Sequence, residues 1–249
     1  MYLLFDIGNT NTHIGLANDR RVLRRWDMAT AEWAGATALG SIGSRLGSHS
    51  ISAAALCSVV PRAVLPACKA LRHIGAKNPL VLSSSTVTGI GIDYPQPETI
   101  GPDRLANAIA ARVCYGAPVV VVDFGTAVTF DVVNSKGNYI GGIIAPGLAA
   151  MTDYLHEKTA LLPRIRIRHT EATIGRNTKQ AMLIGALHGY RGLVRELIKR
   201  LKVELKTRRL PVVATGGYAK LMAAEVPEIS AVNPRLTLEG LRLSLLSEL

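Results

Sequence analysis

The sequence predicts an α/β fold made of two halves of one design. Three observations carry this: strands alternate with helices along the chain, one strand–loop motif occurs twice, and no Ser/Gly-rich linker separates the copies. The first copy is Tyr2-Leu-Leu-Phe-Asp-Ile-Gly-Asn-Thr-Asn-Thr12, and the second is Val119-Val-Val-Val-Asp-Phe-Gly-Thr-Ala-Val-Thr129, so that Asp6 matches Asp123, 117 residues on, and Gly8 matches Gly125. In both, an apolar strand ends in Asp-x-Gly and small polar residues.

The elements follow in order. After the first motif, Thr12–Ala17 reads as a second strand, and Asn18-Asp19-Arg20 turns the chain into a third. Ala53–Val60 and Pro79–Ser83 read as further strands, and Pro61–Ile74 and Arg104–Cys114 as helices. The second copy repeats the plan, with Thr129–Val133, a turn over Asn134–Asn138, and a third strand. Helices are expected over Met151–Thr159, Thr178–Leu205 and Leu236–Leu246, with a strand at Leu210–Thr215 that runs into Gly216-Gly217. A boundary near Gly116 gives halves of 1–116 and 117–249, expected to pack tightly because nothing flexible joins them.

Composition narrows the classes. A chain of 249 residues allows one large domain or two compact halves, and 48% hydrophobic residues with 19% charged exclude a disordered chain. Cys57, Cys68 and Cys114 are odd in number and form no CxxC pair, which argues against a disulfide framework or structural zinc site and suits a reducing cytosol. Met1–Phe5 has no basic flank and runs straight into Asp6, so a cleaved signal peptide is not expected. Apolar runs such as Ala117–Val122 are strand-sized, far below the roughly 20 residues of a membrane span. A cytoplasmic protein without membrane attachment is the expectation.

The net charge of +11 invites a nucleic-acid reading. It is concentrated: Lys158 to Arg209 holds 14 Lys and Arg against Glu171, Glu196 and Glu204. Within it, Met182, Leu183, Ala186, Leu193, Leu197, Ile198 and Leu201 fall near one helical face, and Arg191, Arg195, Lys199 and Lys202 mostly on the other. A solvated helix face explains this pattern, and few aromatics lie nearby to stack bases. No nucleic-acid partner is expected.

Three segments carry chemistry. Asp6-Ile-Gly-Asn-Thr-Asn-Thr12 opens a tight hairpin in which Gly8 lets phosphate oxygens approach the backbone, while N–H groups with Asn and Thr side chains form an anion-binding concavity. Asp6 can hold a Mg²⁺ that bridges nucleotide phosphates. Asp123-Phe-Gly-Thr-Ala127 offers the same elements from the other half, and two such loops are expected to clasp a nucleotide in a cleft between the halves. The third segment is Tyr94 to Asn107, where Gly101-Pro102 leads into a helix beginning about Asp103. An isolated Asp there is an ordinary helix cap. With Arg104 adjoining and Asn107 one turn later, the cluster suits a substrate hydroxyl and developing phosphate charge, a carboxylate accepting the hydroxyl proton being what a kinase needs. The chain has no G-x-x-x-x-G-K-[ST], no G-x-G-x-x-G opening a βαβ unit, no HExxH and no G-x-S-x-G, so P-loop, dinucleotide, metalloprotease and esterase readings drop out.

Taken together, Asp6-Ile-Gly-Asn-Thr, Ser58-Val-Val-Pro61, Tyr94 with Gly101-Pro-Asp-Arg104, Asp123-Phe-Gly-Thr-Ala127, Gly141-Gly142 with Pro146-Gly147, and Thr215-Gly-Gly217 resemble the type III pantothenate kinases over nearly the whole chain. The resemblance implies two ribonuclease-H-like halves of the acetate kinase, sugar kinase and actin superfamily, and ATP-dependent phosphorylation of pantothenate to 4'-phosphopantothenate, the opening step of coenzyme A biosynthesis. It implies a phosphate loop of Asp6, Ile7, Gly8, Asn9, Thr10, Asn11, Thr12 and His13, a second ATP contact at Thr126, and Asp103 as proton acceptor. Tyr94, Gly101, Pro102, Asp103, Arg104 and Thr178 would hold pantothenate, and Asp123 a monovalent cation, K⁺ or NH₄⁺, beside Mg²⁺. A homodimer is also implied. Three rivals remain: another phosphotransferase of the superfamily, a nucleotide- or nucleic-acid-binding regulatory relative without kinase activity, and a ribonuclease-H-type nuclease, which leaves the glycine-rich loops unexplained.

Overall fold

The computed structural model describes residues 1–35 and 37–248. In chain order, the first stretch holds β1 (Tyr2–Ile7), β2 (Asn11–Ala17), β3 (Val22–Ala29), a 3₁₀ turn (Thr30–Ala34), α1 (Thr37–Leu46), β4 (Ala53–Ser58), α2 (Pro61–His73), β5 (Leu80–Val81), β6 (Gly91–Ile92) and α3 (Pro102–Tyr115). Then come β7 (Val119–Phe124), β8 (Ala127–Val133), β9 (Asn138–Pro146), α4 (Leu148–Lys158), α5 (Thr178–Glu204), β10 (Val212–Gly216), α6 (Ala219–Ala223), β11 (Ala231–Val232) and α7 (Leu236–Leu246). By packing the chain divides into two units. One is Met1–Gly116 with Gly137–Ile140 and the C-terminal stretch from Arg235; the other is Ala117–Lys136 with Gly141–Pro234.

In the first unit a sheet runs β3-β2-β1-β4-β5. β1 is antiparallel to β2 and parallel to β4, which pairs in parallel with β5. β1 is central and apolar, buried at every position except Asp6 near its end. Leu3, Phe5 and Ile7, two residues apart and so on one face, share a core with Trp33, Ile42, Leu56 and Leu71. α7 packs on β1 and β4 and closely against α3. The approach is tight enough that a Cβ on Gly240 would run into the Ala106 backbone. Sequence spacing places α7 at the same residues, within 117–249, whereas its packing partners lie in the first unit. α1 is an element that sequence reading leaves blank. Gly40 and Gly43 lower its helix propensity, and burial of Ala38, Ile42 and Leu46 holds it.

The second sheet runs β6-β9-β8-β7-β10-β11, and its five strands β9-β8-β7-β10-β11 follow one order. β7 is antiparallel to β8 and parallel to β10, and β11 is parallel to β10. This is the first unit's order repeated, which is the duplication that the two motifs predict. α5 buries Met182, Leu183, Ala186, Leu187, Tyr190, Val194 and Ile198. The expected face is therefore rotated: Leu193, Leu197 and Leu201 are only half-buried, and Leu187, Tyr190 and Val194 point inward instead. Among the described residues no helix is long and apolar enough to cross a membrane.

Candidate active site

The turn after β1 is braced from below. The Gly8 N–H donates to Asn11 O at 3.0 Å, and a Cβ on Gly8 would stand 3.0 Å from that same oxygen. Thr30 Oγ1 donates to Gly8 O at 2.7 Å, the Thr30 N–H donates to Thr10 O at 3.0 Å, and Trp33 Nε1 donates to the buried Thr12 Oγ1 at 2.9 Å. Of the loop predicted to meet phosphate, Ile7 and Thr12 therefore send their side chains into the core, while Asn9, Thr10 and Asn11 are exposed and Asp6, Gly8 and His13 half-buried. Ile7 and Thr12 can offer a ligand backbone only.

Strand register aligns Asp27, His13, Asp6 and Cys57 in one row across β3, β2, β1 and β4. His13 Nδ1 lies 2.8 Å from Asp27 Oδ1. On the other side, the fully buried Cys57 donates its S–H to Asp6 Oδ1 at 3.5 Å. Burial, followed by the neighbouring charges of Asp6 and Asp103, pushes the Cys57 thiol well up, so it remains a neutral donor. Asp6 and Asp103 thus both act on one buried thiol.

Asp103 stands in the first turn of α3, whose N-cap is Gly101 and whose first residue is Pro102. Its Oδ1 accepts from the Arg104 N–H at 2.9 Å. Glycine at 101 leaves room for this carboxylate pose, since a Cβ there would lie 2.6 Å from Asp103 Oδ1 and push it aside. Burial raises the Asp103 carboxyl above its ordinary value, with the Arg104 N–H and charge partly opposing. A carboxyl raised this way is a better proton acceptor. Asn107, expected in this cluster, is buried, and its Oδ1 accepts from Thr237 of α7 at 2.9 Å. Tyr94 is partly exposed, with its ring edge-on to Tyr139, a residue the sequence reading does not single out.

In the second unit the Asp123–Thr126 turn is braced by glycines. The Gly147 N–H donates to Thr126 O at 3.1 Å, and a Cβ on Gly147 would meet the Gly125 carbonyl at 2.6 Å. Gly216 has φ +88°, and a Cβ there would stand 2.5 Å from Asp123 Oδ1. Asp131, two residues past Thr129, is a fully buried carboxylate accepting from Thr129 Oγ1 at 3.4 Å, and it too escapes sequence reading. Thr178 is the exposed first residue of α5, where the Asn177 side chain caps the helix by accepting from the Gln180 N–H at 3.0 Å.

Part of the basic segment is ion-paired within this unit. Arg191 and His169 pair with Glu225, Arg195 with Glu228 at 2.9 Å, and Arg200 with Glu196 at 2.6 Å. Among the described residues no three His, Cys, Asp or Glu side chains gather as a metal cage.

A duplicated sheet of this order, with an Asp-x-Gly turn after the first strand of each copy, defines the acetate kinase, sugar kinase and actin class. Solved structures agree in fold. A Campylobacter jejuni protein, provisionally named a conserved Baf family transcriptional activator, is 20% identical with a TM-score of 0.61, over 99% of this chain and 98% of that one. A Sinorhizobium meliloti protein, provisionally named a 2-dehydro-3-deoxygalactonokinase, is 14% identical with a TM-score of 0.61, over 98% of this chain and 95% of that one.

The sequence comparisons are sharper. Residues 2–200 match the family model described as type III pantothenate kinase. A type III pantothenate kinase of Akkermansia muciniphila is 47% identical over 98% of this chain and 97% of its own. This chain belongs to the type III pantothenate kinase family. Its activity is ATP-dependent phosphorylation of pantothenate, in coenzyme A synthesis.

Proposed function

We propose that Asp103 takes the proton from the terminal hydroxyl of pantothenate as that oxygen attacks the γ-phosphorus of ATP, giving 4'-phosphopantothenate and ADP. The observation that carries this is the environment of Asp103: a half-buried carboxyl, raised by burial, at the start of α3. Asp6–His13 and Thr126 hold the phosphates, and Tyr94, Gly101–Arg104 and Thr178 hold pantothenate. Thr178, on the first turn of α5, adds the positive end of a helix dipole suited to the pantothenate carboxylate. A coupled assay of ADP release with pantothenate and a panel of other small alcohols tests the assignment. Turnover is expected with pantothenate alone, and equal turnover with an unrelated alcohol contradicts it.

Two cations fit the oxygen donors present. Asp6 is a half-buried carboxylate at a strand end, and without a protein cage a Mg²⁺ there would keep water and phosphate ligands, as that ion prefers. Asp123, with Gly125 and Thr126 carbonyls close to it in sequence, is a hard-oxygen set suited to K⁺ or NH₄⁺. The ions supply charge neutralisation, and Asp6 and Asp123 orient the loops towards it. The large exposed apolar side chains include Ile144, Tyr154, Leu155, Leu161 and Ile174, all within one stretch of the second unit. Exposed apolar side chains of this size support a homodimer, which sedimentation analysis checks. The ion pairs of Arg191, Arg195 and Arg200 on the basic helix support an enzyme without a nucleic-acid partner, and membership of a coenzyme A synthesis family supports a cytoplasmic one.

A further inference from the structure

We infer that Tyr139 is a positioning residue for pantothenate, holding Tyr94 and Arg104 in place together; this rests on the proposal that those two residues contact the substrate. Tyr139 is 1% exposed. Its ring centroid lies 6.2 Å from that of Tyr94, at an interplanar angle of 71°, the edge-to-face arrangement aromatic quadrupoles favour. The Arg104 guanidinium carbon lies 5.9 Å from the same centroid, a cation–π distance in a setting with little water.

Long-range pairing makes this possible. Gly91 and Ile92 of β6 pair in parallel with Asn138 and Tyr139 of β9, and the Asp93 N–H donates to Tyr139 O at 2.8 Å. The loop entering Tyr94 is thereby stitched to the backbone of the residue whose side chain supports Tyr94. Gly91 leaves room for the Asn138 side chain beside that stitch, because a Cβ there would displace it. Arg104 arrives from another direction, on the first turn of α3 beside Asp103. One buried ring thus links the Pro-rich loop to the helix that carries the proton acceptor.

Tyr94 is itself partly exposed, and a long Arg side chain has many rotamers, so both have conformational freedom to lose when substrate binds. Tyr139 narrows both before substrate arrives, which lowers the ordering cost of binding. No step of phosphoryl transfer passes through Tyr139. Its loss should therefore appear in the pantothenate KM, with kcat and the ATP KM much less affected.

The test compares Tyr139→Leu and Tyr139→Phe, with Tyr94→Ala and Arg104→Ala as references, in steady-state kinetics varying pantothenate and ATP separately. Tyr139→Leu should raise the pantothenate KM roughly 5- to 30-fold, the scale of one desolvated cation–π contact plus an aromatic pair. Tyr139→Phe, which keeps the ring, should stay within about threefold of wild type. Adding Arg104→Ala to Tyr139→Leu should cost much less than the two effects multiplied, because the two act on one contact. The inference is overturned if Tyr94→Ala and Arg104→Ala raise the pantothenate KM and Tyr139→Leu does not. It is also overturned if Tyr139→Leu raises both KM values alike, the mark of a purely structural residue. If neither Tyr94→Ala nor Arg104→Ala alters the pantothenate KM, the underlying substrate assignment fails, and this inference fails with it.

Discussion

The two units repeat one strand order, yet their Asp-x-Gly turns are braced by opposite means. The first turn rests on side chains, with Thr30, Trp33 and Thr12 hydrogen-bonded beneath it. The second rests on the absence of side chains, since Gly147 and Gly216 bring backbone against it where a Cβ would collide. The neighbours of the two aspartates differ in the same way. Asp6 lies beside the buried thiol of Cys57, and Asp123 beside Thr215 and the bare Gly216. A duplicated frame thus holds one motif in two settings, a turn braced by side chains in the first unit and a turn packed against bare backbone in the second, and the proposed function gives the first to phosphate and the second to a cation.

The largest effect should come from the first unit's chemistry. Asp103→Asn keeps the shape and the acceptor to the Arg104 N–H but removes the base, and kcat should fall by about 10²–10⁴-fold. Because burial raises this carboxyl, its charged form disfavours the folded state as pH rises from the ordinary carboxylate value to the raised one. The variant should therefore melt no lower than wild type at neutral pH, which separates lost chemistry from lost folding. By the same sign, wild-type activity should fall on the acid side through a value above the ordinary carboxylate range, read from a kcat/KM pH profile.

Next is the second unit's bracing. Gly216→Ala combines a positive φ with a Cβ 2.5–2.7 Å from Asp123 and Phe124, a strain of about 1–3 kcal/mol. Activity in K⁺ should drop about 10- to 100-fold by that energy, with Asp103-dependent pH behaviour retained. Thr30→Val probes the first turn more gently. Removing the donor to Gly8 O should cost about 1–3 kcal/mol in chemical denaturation and raise the ATP KM severalfold.

Much of the fold is legible in the sequence because its determinants are local. Apolar runs ending in Asp-x-Gly mark β1 and β7, and Gly101-Pro102 marks the start of α3. α1 is not legible, since Gly40 and Gly43 obscure a helix that only packing stabilises. The candidate site divides along the same line. Asp6, Asp103 and Asp123 stand in short motifs, whereas Tyr139 matters through a pairing with Ile92 far off in sequence, and Asn107 is taken up by Thr237, 130 residues away. The turn of α5 is misjudged because Leu and Val at 193 and 194 are equally apolar, so sequence alone does not choose the buried one.

The division of labour between the units is tested most directly by measuring ATP affinity, in K⁺ and Mg²⁺, for Asp103→Asn and Asp123→Asn side by side with wild type. Asp103→Asn should bind ATP within about threefold of wild type while failing to turn over. Asp123→Asn should bind about tenfold more weakly or worse, the scale of a disturbed ion site, and lose its response to K⁺. If Asp123→Asn binds ATP as tightly as wild type or more tightly, and wild-type activity in buffer free of K⁺ and NH₄⁺ equals that in K⁺, then Asp123 holds no cation and the two turns do not divide the work.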